Sequence, residues 1–470
     1  MGSSRPSSVG AAFAIVVACL AASSSRGALA AAPGGVTPAL TVLAAQQVVS
    51  GQRPSFRWPT TGEVAVAVAG VGLVGESPNQ RQVPVASLTK MMTALVVLRD
   101  HPLAPGQAGP SVTITWWDVH DWKQDVRAGD SVVGVRAGEV LTEYQLLEAL
   151  MIPSGDNIAD RLAIWDAGSI DAFVAKMNRM AGTFRLGSTH YADPSGVDPR
   201  SASTAADQAL VASKLMADPV VRGIVRRRRI NLPVVGILSN HNPALGIDGI
   251  IGVKGGYSSH AHNCLVTAAF RTHHAALVVS VALGQPYGLG PARIDEALLE
   301  AATKRLRRYR LTALGAAVGT LTAPRGGPSV GLVGPDTPPT AVVWPGLVLT
   351  YEITASSAEA LRSAPPGSVV GVLTVSTSWG ALASVPVRVA AAPPSSPAPS
   401  AMRSPRPRRL VHLRDVPDAS RVGAARVVAA AGRGRSSAGG VAAAGSRELS
   451  QGAGPSFGTS GRGNEVFRDG

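Results

Sequence analysis

A change of hydrophobic period divides residues 64–295 into two kinds of segment that must pack on each other. SLTKMMTALVVL (87–98) sets Leu88, Met91, Met92, Leu95 and Leu98 at the spacing of one helix face, so a buried helix is expected to begin near Ser87. LTEYQLLEALMI repeats the pattern and stops at Pro153, and NIADRLAIW and IDAFVAKMNRMAGTF extend the helical cluster. The period is different elsewhere. EVAVAVAGVGLV reads as an opening strand, while NCLVTAAF and AALVVSVAL, joined by the polar turn Arg271 to His274, read as two paired strands before a last helix, RIDEALLEAATKRLRRY. The combination is a mixed α/β domain, an antiparallel sheet flanked by a helical cluster.

The rest of the chain is of another kind. With 470 residues it is too long for a single compact core, which points to two domains plus tails. Short β-like runs broken by Gly and Pro (AVVWPG, LVLTYEIT, SVVGVLTV, SVPVRVA) mark a small all-β domain over 311–391. From 392 to 470, PPSSPAPS, PRPRR and GRGRSSAGG lack apolar periodicity, and this tail is expected to be disordered. At the other end, residues 1–32 carry Arg5, an apolar run from Ala11 to Leu20 and small residues at Ala28 and Ala30, the pattern of a secretory signal peptide. A second reading takes Val16-Val17-Ala18-Cys19 as a lipobox that would make Cys19 a lipidated terminus. Both readings place the mature protein outside the cytoplasm, with 33–310 as its α/β domain. Once the leader is removed Cys264 is the remaining cysteine, so no intramolecular disulfide is expected.

The formal charge of +14 is concentrated in arginines of the tail, among them Arg403, Arg406, Arg408, Arg409, Arg433 and Arg435. Such a tail is suited to anionic envelope polymers or lipid headgroups rather than nucleic acid, or is simply a solvated linker.

The residues with chemistry lie in three places. Ser87 and Lys90 stand three apart at the start of the expected helix, which puts hydroxyl and ammonium on one face near the helix N-terminus. A lysine in a partly buried pocket can deprotonate such a serine. S-x-x-K alone is common by chance. Here it is followed by Ser154 in IPSGDNIAD, at a turn between helices, and by Lys254 in VKGGYSS, at the start of a strand.

That ordered triplet is the arrangement of the penicillin-interacting serine enzymes, with their S-x-x-K, S-D-N and K-T-G motifs. The sequence more closely resembles the D-alanyl-D-alanine carboxypeptidases of peptidase family S11, on VASLTKMMTA, RAGEVLTEYQLLEALMIPSGDNIAD, LGSTHYADPSGVDP and GVKGGYSSHAHNCLVTAA. The likeness runs from about Val64 to Tyr309, and the β block resembles the smaller C-terminal domain of that family. It implies a DD-peptidase/β-lactamase-like fold and attack by Ser87 on the carbonyl between two terminal D-alanines of a peptidoglycan stem peptide. Lys90 would be the general base, Ser154 a proton relay to the leaving amine, and Lys254 the group that polarises the relay and attracts the substrate carboxylate. Backbone N–H groups of Ser87 and Tyr257 would form the oxyanion hole, with Gly256 letting substrate lie against the strand edge. β-Lactams would be inhibitors; no cofactor or metal is implied.

Two positions depart from the family. Asp156 stands where the turn usually carries Asn, and Gly255 replaces the Thr or Ser whose hydroxyl contacts the substrate carboxylate. A lost charge-assisted hydrogen bond there would cost roughly 1.5–3 kcal/mol, or about tenfold to a hundredfold in kcat/KM. These departures keep open a catalytically weak or inactive wall-binding module. A class A β-lactamase fits poorly, since it resembles its kin in needing a glutamate for deacylation and no glutamate lies between Glu148 and Glu296. His260, His262 and Cys264 alternate as zinc ligands on one strand face would, although a core cysteine beneath loop histidines is the simpler expectation. Trp116, Trp117 and Trp122 are expected in a loop over the cleft, either packing it or stacking on sugars.

Overall fold

The computed structural model describes residues 39–42, 46–273, 276–286, 290–312, 317–322, 329–355 and 364–391. The expected leader with Cys19, the arginine-rich tail and His274 lie outside the described residues.

Five antiparallel strands form the sheet that carries the site. They are β1 (Glu63–Val68), β2 (Gly72–Glu76), β3 (Ile250–Ser258), β4 (His262–Arg271) and β5 (Ala276–Gln285), arranged β3-β4-β5-β1-β2. Alternation decides which neighbours each strand meets. In β1, Val64 and Val66 face one apolar cluster with Leu298 and Leu299, while Ala65 and Ala67 face another with Met91, Leu150 and Phe173. Both faces are therefore covered, which is why this strand is apolar at nearly every position and does not alternate with polar residues.

One cover is α8 (Gly290–Thr303). Its Asp295 is fully buried and accepts hydrogen bonds from Thr267 Oγ1 of β4 at 3.0 Å and Ser280 Oγ of β5 at 2.7 Å. Burial pushes this carboxyl up to about 8 in spite of those two bonds, so it sits protonated in the core at neutral pH. The expected last helix is shorter than its sequence pattern: Arg307–Arg310 turns into a strand paired with Thr340–Val343.

The other cover is the helical cluster: α1 (Lys90–Asp100), α2 (Trp116–Ala128), α3 (Glu143–Met151), α4 (Asp156–Ala167), α5 (Ile170–Thr183), α6 (Ala205–Leu215) and α7 (Pro219–Val225). α1 is buried nearly all round, with Met91, Met92, Ala94, Val96 and Val97 sealed from solvent. Each large side chain so buried contributes roughly 1.5–3 kcal/mol, and the helix becomes a fixed axle for the residues at its start.

A second sheet of seven strands runs in the order Ala39–Val42, Ala317–Thr322, Ser329–Val333, Gly380–Val389, Val369–Thr377, Val348–Ala355, Gln46–Val48. Its own core includes Leu349, Leu373, Val375 and Val387. The segment before the catalytic sheet thus completes both ends of the β block's sheet, through Ala39–Val42 on Ala317–Thr322 and Gln46–Val48 on Val348–Ala355. Strand pairing across some three hundred residues leaves no local signature in the sequence. Among the described residues no helix is long and apolar enough to cross a membrane.

Candidate active site

Ser87 lies in a single 3-10 turn, Ala86–Thr89, that runs directly into α1. The residue before it, Ala86, has φ +47°, a left-handed conformation costly for a side-chain-bearing residue. Gly196 shows what holds it there: a Cβ at 196 would lie 1.9 Å from the Ala86 carbonyl oxygen, and its own φ is +88°, so only glycine fits. Asp193 builds that loop. Its carboxylate accepts from Ser195 Oγ at 2.6 Å, from the N–H groups of Gly196 and Val197, and from Ser201 Oγ at 2.5 Å. ADPSG is thus a bracket against the turn that carries Ser87, a role that the chemical reading of the sequence did not find.

Lys90, one helical turn on, is completely buried. Its Nζ donates to Ser87 Oγ at 2.9 Å, to Asp156 Oδ1 at 2.5 Å and to the Ser195 carbonyl at 2.9 Å. Three oxygen acceptors match the three donors of an ammonium. Asp156, the first residue of α4, is fixed from the other side: its Oδ2 accepts from the Ser131 N–H at 2.9 Å and its own N–H donates to the Ser131 carbonyl at 2.7 Å. Asn157 does not enter the site. It clamps Val133 through both backbone groups, at 3.0 and 2.9 Å.

Ser154 occupies the turn between α3 and α4 with φ +70°, a second strained position. Lys254 on β3 reaches it, Nζ donating to Ser154 Oγ at 2.8 Å and to the Gly255 carbonyl at 2.8 Å. Lys254 is buried, and no carboxylate is among those partners. Desolvation first, then repulsion from Lys90, drives its pKa well below the ordinary lysine value, with Asp156 pulling weakly the other way. His241, beside the same strand, is likewise held below its usual range by burial and by Lys254.

These groups share one cleft of about 350 Å³, lined among others by Ser87, Ser131, Ser154, His241, Gly256 and Tyr257. Larger cavities exist, one of about 580 Å³ beside Arg185, Lys214 and Trp379, but it holds none of the chemistry. β3 is the outer strand of its sheet. A Cβ at Gly256 would come within 2.9 Å of the Ser87 nitrogen, so the strand edge lies directly against the Ser87 turn. All seven site residues expected from the sequence, Ser87, Lys90, Ser154, Asp156, Lys254, Gly256 and Tyr257, therefore meet at one place. His241 and Ser131 were not anticipated; nothing in SNHNP or GDSVV distinguishes them from ordinary loop residues.

The D-alanyl-D-alanine carboxypeptidase family model, peptidase S11, matches residues 67–286. The D-alanyl-D-alanine carboxypeptidase DacB2 of Mycobacterium tuberculosis is 34% identical over 241 residues, covering 50% of this chain and 78% of that protein. The chain belongs to the S11 family. A second S11 relative, DacF of Bacillus subtilis, is 28% identical over 223 residues, and there the match spans 46% of this chain and 55% of the relative. Penicillin binding protein 5 from Haemophilus influenzae superposes with a TM-score of 0.54 at 20% identity, over 72% of this chain and 98% of that one. Penicillin binding protein 6B from Escherichia coli gives 0.53, also at 20% identity and over the same shares of both chains. The fold is that of the DD-peptidase/β-lactamase-like proteins.

Within this S11 frame the remaining expectations resolve residue by residue. Ser258, three residues beyond Gly255, is used in the β3–β4 turn, where its Oγ accepts from the Ala261 N–H. His260 lies in that turn and His262 has φ +54°, so the alternation that would align them with Cys264 is broken. The Cys264 thiol is buried and pushed up to about 12, which makes it an inert core residue. The tryptophans lie on a helix and not in a loop. Thr115 and Asp118 form a capping box and Gly129 a left-handed C-cap, a pattern T-x-x-D…G that the sequence displayed. Trp122 packs on the main core, while Trp116 and Trp117 stay exposed.

Proposed function

We propose that the protein is a serine-type D-Ala-D-Ala carboxypeptidase that removes the terminal D-alanine from peptidoglycan stem peptides, slowly, through an acyl-enzyme on Ser87. The observation that carries this reading is Ser87 Oγ 2.9 Å from Lys90 Nζ, in the same cleft as the Ser154–Lys254 pair. Lys90, in its neutral amine form, takes the proton of Ser87 Oγ as that oxygen attacks the carbonyl of the penultimate D-alanine. Through Ser154 a proton reaches the leaving amine as the C–N bond breaks, and water then attacks the ester. The N–H groups of Ser87 and Tyr257 receive the oxyanion while substrate extends along the edge of β3. Lys254, depressed by burial when alone, gains a counter-charge when the substrate carboxylate arrives, which favours its ammonium form. Substrate of this kind lies outside the cytoplasm, in keeping with an exported protein and with a basic tail held near the anionic envelope. A division near residue 310 sets off the β block except for its two edge strands, Ala39–Val42 and Gln46–Val48, which precede this machinery in the chain.

The test is the release of free D-alanine from a stem pentapeptide by the mature protein, with fluorescent penicillin as an active-site label. Release together with a covalent band is expected; folded protein showing neither would leave a wall-binding module as the better account.

Gly255 is the first of two reasons to expect a slow enzyme. A Cβ built there meets only Leu265 Cδ1 at 3.7 Å and the His241 carbonyl at 3.9 Å, ordinary contacts that leave room for a side chain. Gly255→Thr is therefore expected to fold normally and to raise kcat/KM for D-alanine release by about tenfold to a hundredfold, by restoring a hydroxyl for the substrate carboxylate. Unchanged turnover in the folded variant would show that the carboxylate is held elsewhere.

A further inference from the structure

α2 is the unusual helix of the cluster, because none of its residues is buried. Its first two residues are tryptophans left 62% and 67% exposed. They are not scattered apolar residues. The Trp116 and Trp117 rings meet edge to face at 4.8 Å, and His120 stacks on Trp116 at 5.7 Å and stands edge-on to Trp117 at 6.2 Å. Polar groups border the cluster: Gln124 hydrogen-bonds His120, and the Asp121 carboxylate lies 3.3 Å from its ring. The platform is held in place. Asp118, which caps the helix, lies 3.7 Å from Arg161 of α4, and Trp122 anchors the middle of the helix on the core. An exposed aromatic platform on a fixed helix, bordered by hydrogen-bonding groups, is suited to a ligand with apolar faces and hydroxyl edges.

The other end of the helix identifies that ligand. Gly129, the C-cap of α2, lines the same cleft as Ser87. From there to Trp116 and Trp117 the helix extends about 18 Å at about 1.5 Å per residue. A stem peptide of about five residues, fully extended, spans about 17 Å. A stem held in the cleft by its D-alanine end and leaving it at Gly129 along α2 has the length to bring its sugar to the tryptophans.

Resting on the carboxypeptidase reading for the position of the stem, we infer that Trp116 and Trp117 form a subsite for the glycan strand of peptidoglycan, on which a sugar ring stacks. A lipid surface is the other occupant such residues could serve. The charges of α2 disfavour it: the helix carries Asp118, Asp121 and Asp125 against Lys123 and Arg127, so it has no basic surplus to attract anionic headgroups.

The test compares native protein with Trp116→Ala/Trp117→Ala, changes at exposed positions that leave the core intact. Two substrates are used, a disaccharide-linked stem pentapeptide and the same peptide without sugar, together with sedimentation on glycan strands stripped of peptide. Native protein is expected to have a KM about tenfold lower for the disaccharide substrate, the double variant to lose that advantage with kcat unchanged, and native protein alone to sediment with bare glycan. Equal KM values for the two substrates in native protein, or an undiminished advantage in the variant, would overturn the subsite. Loss of binding to anionic vesicles in the variant with sugar effects intact would assign the tryptophans to the membrane instead. Penicillin labelling separates the two readings: absent labelling with glycan sedimentation intact sinks the carboxypeptidase and keeps the sugar site, whereas labelling without a sugar effect does the reverse.

Discussion

Ser87→Ala is expected to abolish the covalent penicillin band and to lower D-alanine release by at least about 10⁴-fold, with the fold retained. The size follows from chemistry, since neither of the other two serines that line the cleft is placed beside Lys90. Ser154 Oγ accepts from Lys254 and sits on a separate turn with φ +70°, and Ser131 holds Asp156 through its backbone. Retention of the fold follows from the partners of Lys90. Removing Ser87 Oγ takes one acceptor from the buried ammonium but leaves the Asp156 carboxylate and the Ser195 carbonyl in place. Circular dichroism and thermal unfolding close to native, together with an absent band, check both halves. Persistent labelling at another residue would move the nucleophile away from the 3-10 turn.

The parts of this site that the sequence displayed are those built on local periodicity. Ser87 and Lys90 share a face because they begin a helix whose apolar spacing is plain in SLTKMMTALVVL, whereas Lys254, expected at the start of a strand, lies in the middle of Ile250–Ser258, which pairs with an apolar run. The tryptophan helix was equally legible through its Thr115 box and Gly129 cap, but the three indoles drew the reading toward a loop. What was hidden depends on pairs distant in the chain. The Gly196 loop matters because it presses on Ala86, 110 residues away, and Ser131 matters because it faces Asp156. Neither contact alters hydrophobic period. Cys264 is a core residue beneath turn histidines, the simpler of the two readings of that stretch, because a tight turn interrupts the two-residue repeat of His260, His262 and Cys264.

The departure at 156 also changes meaning once its neighbours are known. A carboxylate at this position can either tune the neighbouring lysines or repel an anionic substrate. In the structure both oxygens are engaged, one with Lys90 and one with the Ser131 N–H, so the carboxylate turns inward as the counter-ion of a buried lysine. Other acids crowd the same region. Burial, followed by the charges of Asp125, Asp193 and Asp156, pushes Asp160 up to about 7, and burial with Asp130 and Asp156 pushes Asp125 up to about 6. Each of these groups binds a proton more tightly in the folded protein than in the unfolded chain. Native structure therefore loses their favourable contribution as pH rises from the ordinary aspartate range toward those values. The cluster has little capacity for another negative charge, and Lys90 is the cation that offsets it.

Asp156→Ala should consequently destabilise the protein by about 3 kcal/mol or more, roughly 6–12 °C in Tm, because it leaves a completely buried lysine without its counter-ion. Asp156→Asn is a different experiment. Its side chain offers one acceptor where the carboxylate offered two, and both existing partners, Lys90 Nζ and the Ser131 N–H, are donors. If the amide oxygen keeps Ser131, its N–H₂ faces Lys90, and the contact becomes favourable when the lysine presents a lone pair. That is the form able to take a proton from Ser87, 2.9 Å away. The Asn variant is therefore expected to lose less stability than the Ala variant and to be acylated by penicillin faster than native protein. Thermal unfolding of the two variants beside stopped-flow acylation separates the effects. Slower acylation in a well-folded Asn variant would mean that the carboxylate itself takes part in moving the proton, and that Asp156 is a working member of the site and not the brake on Lys90.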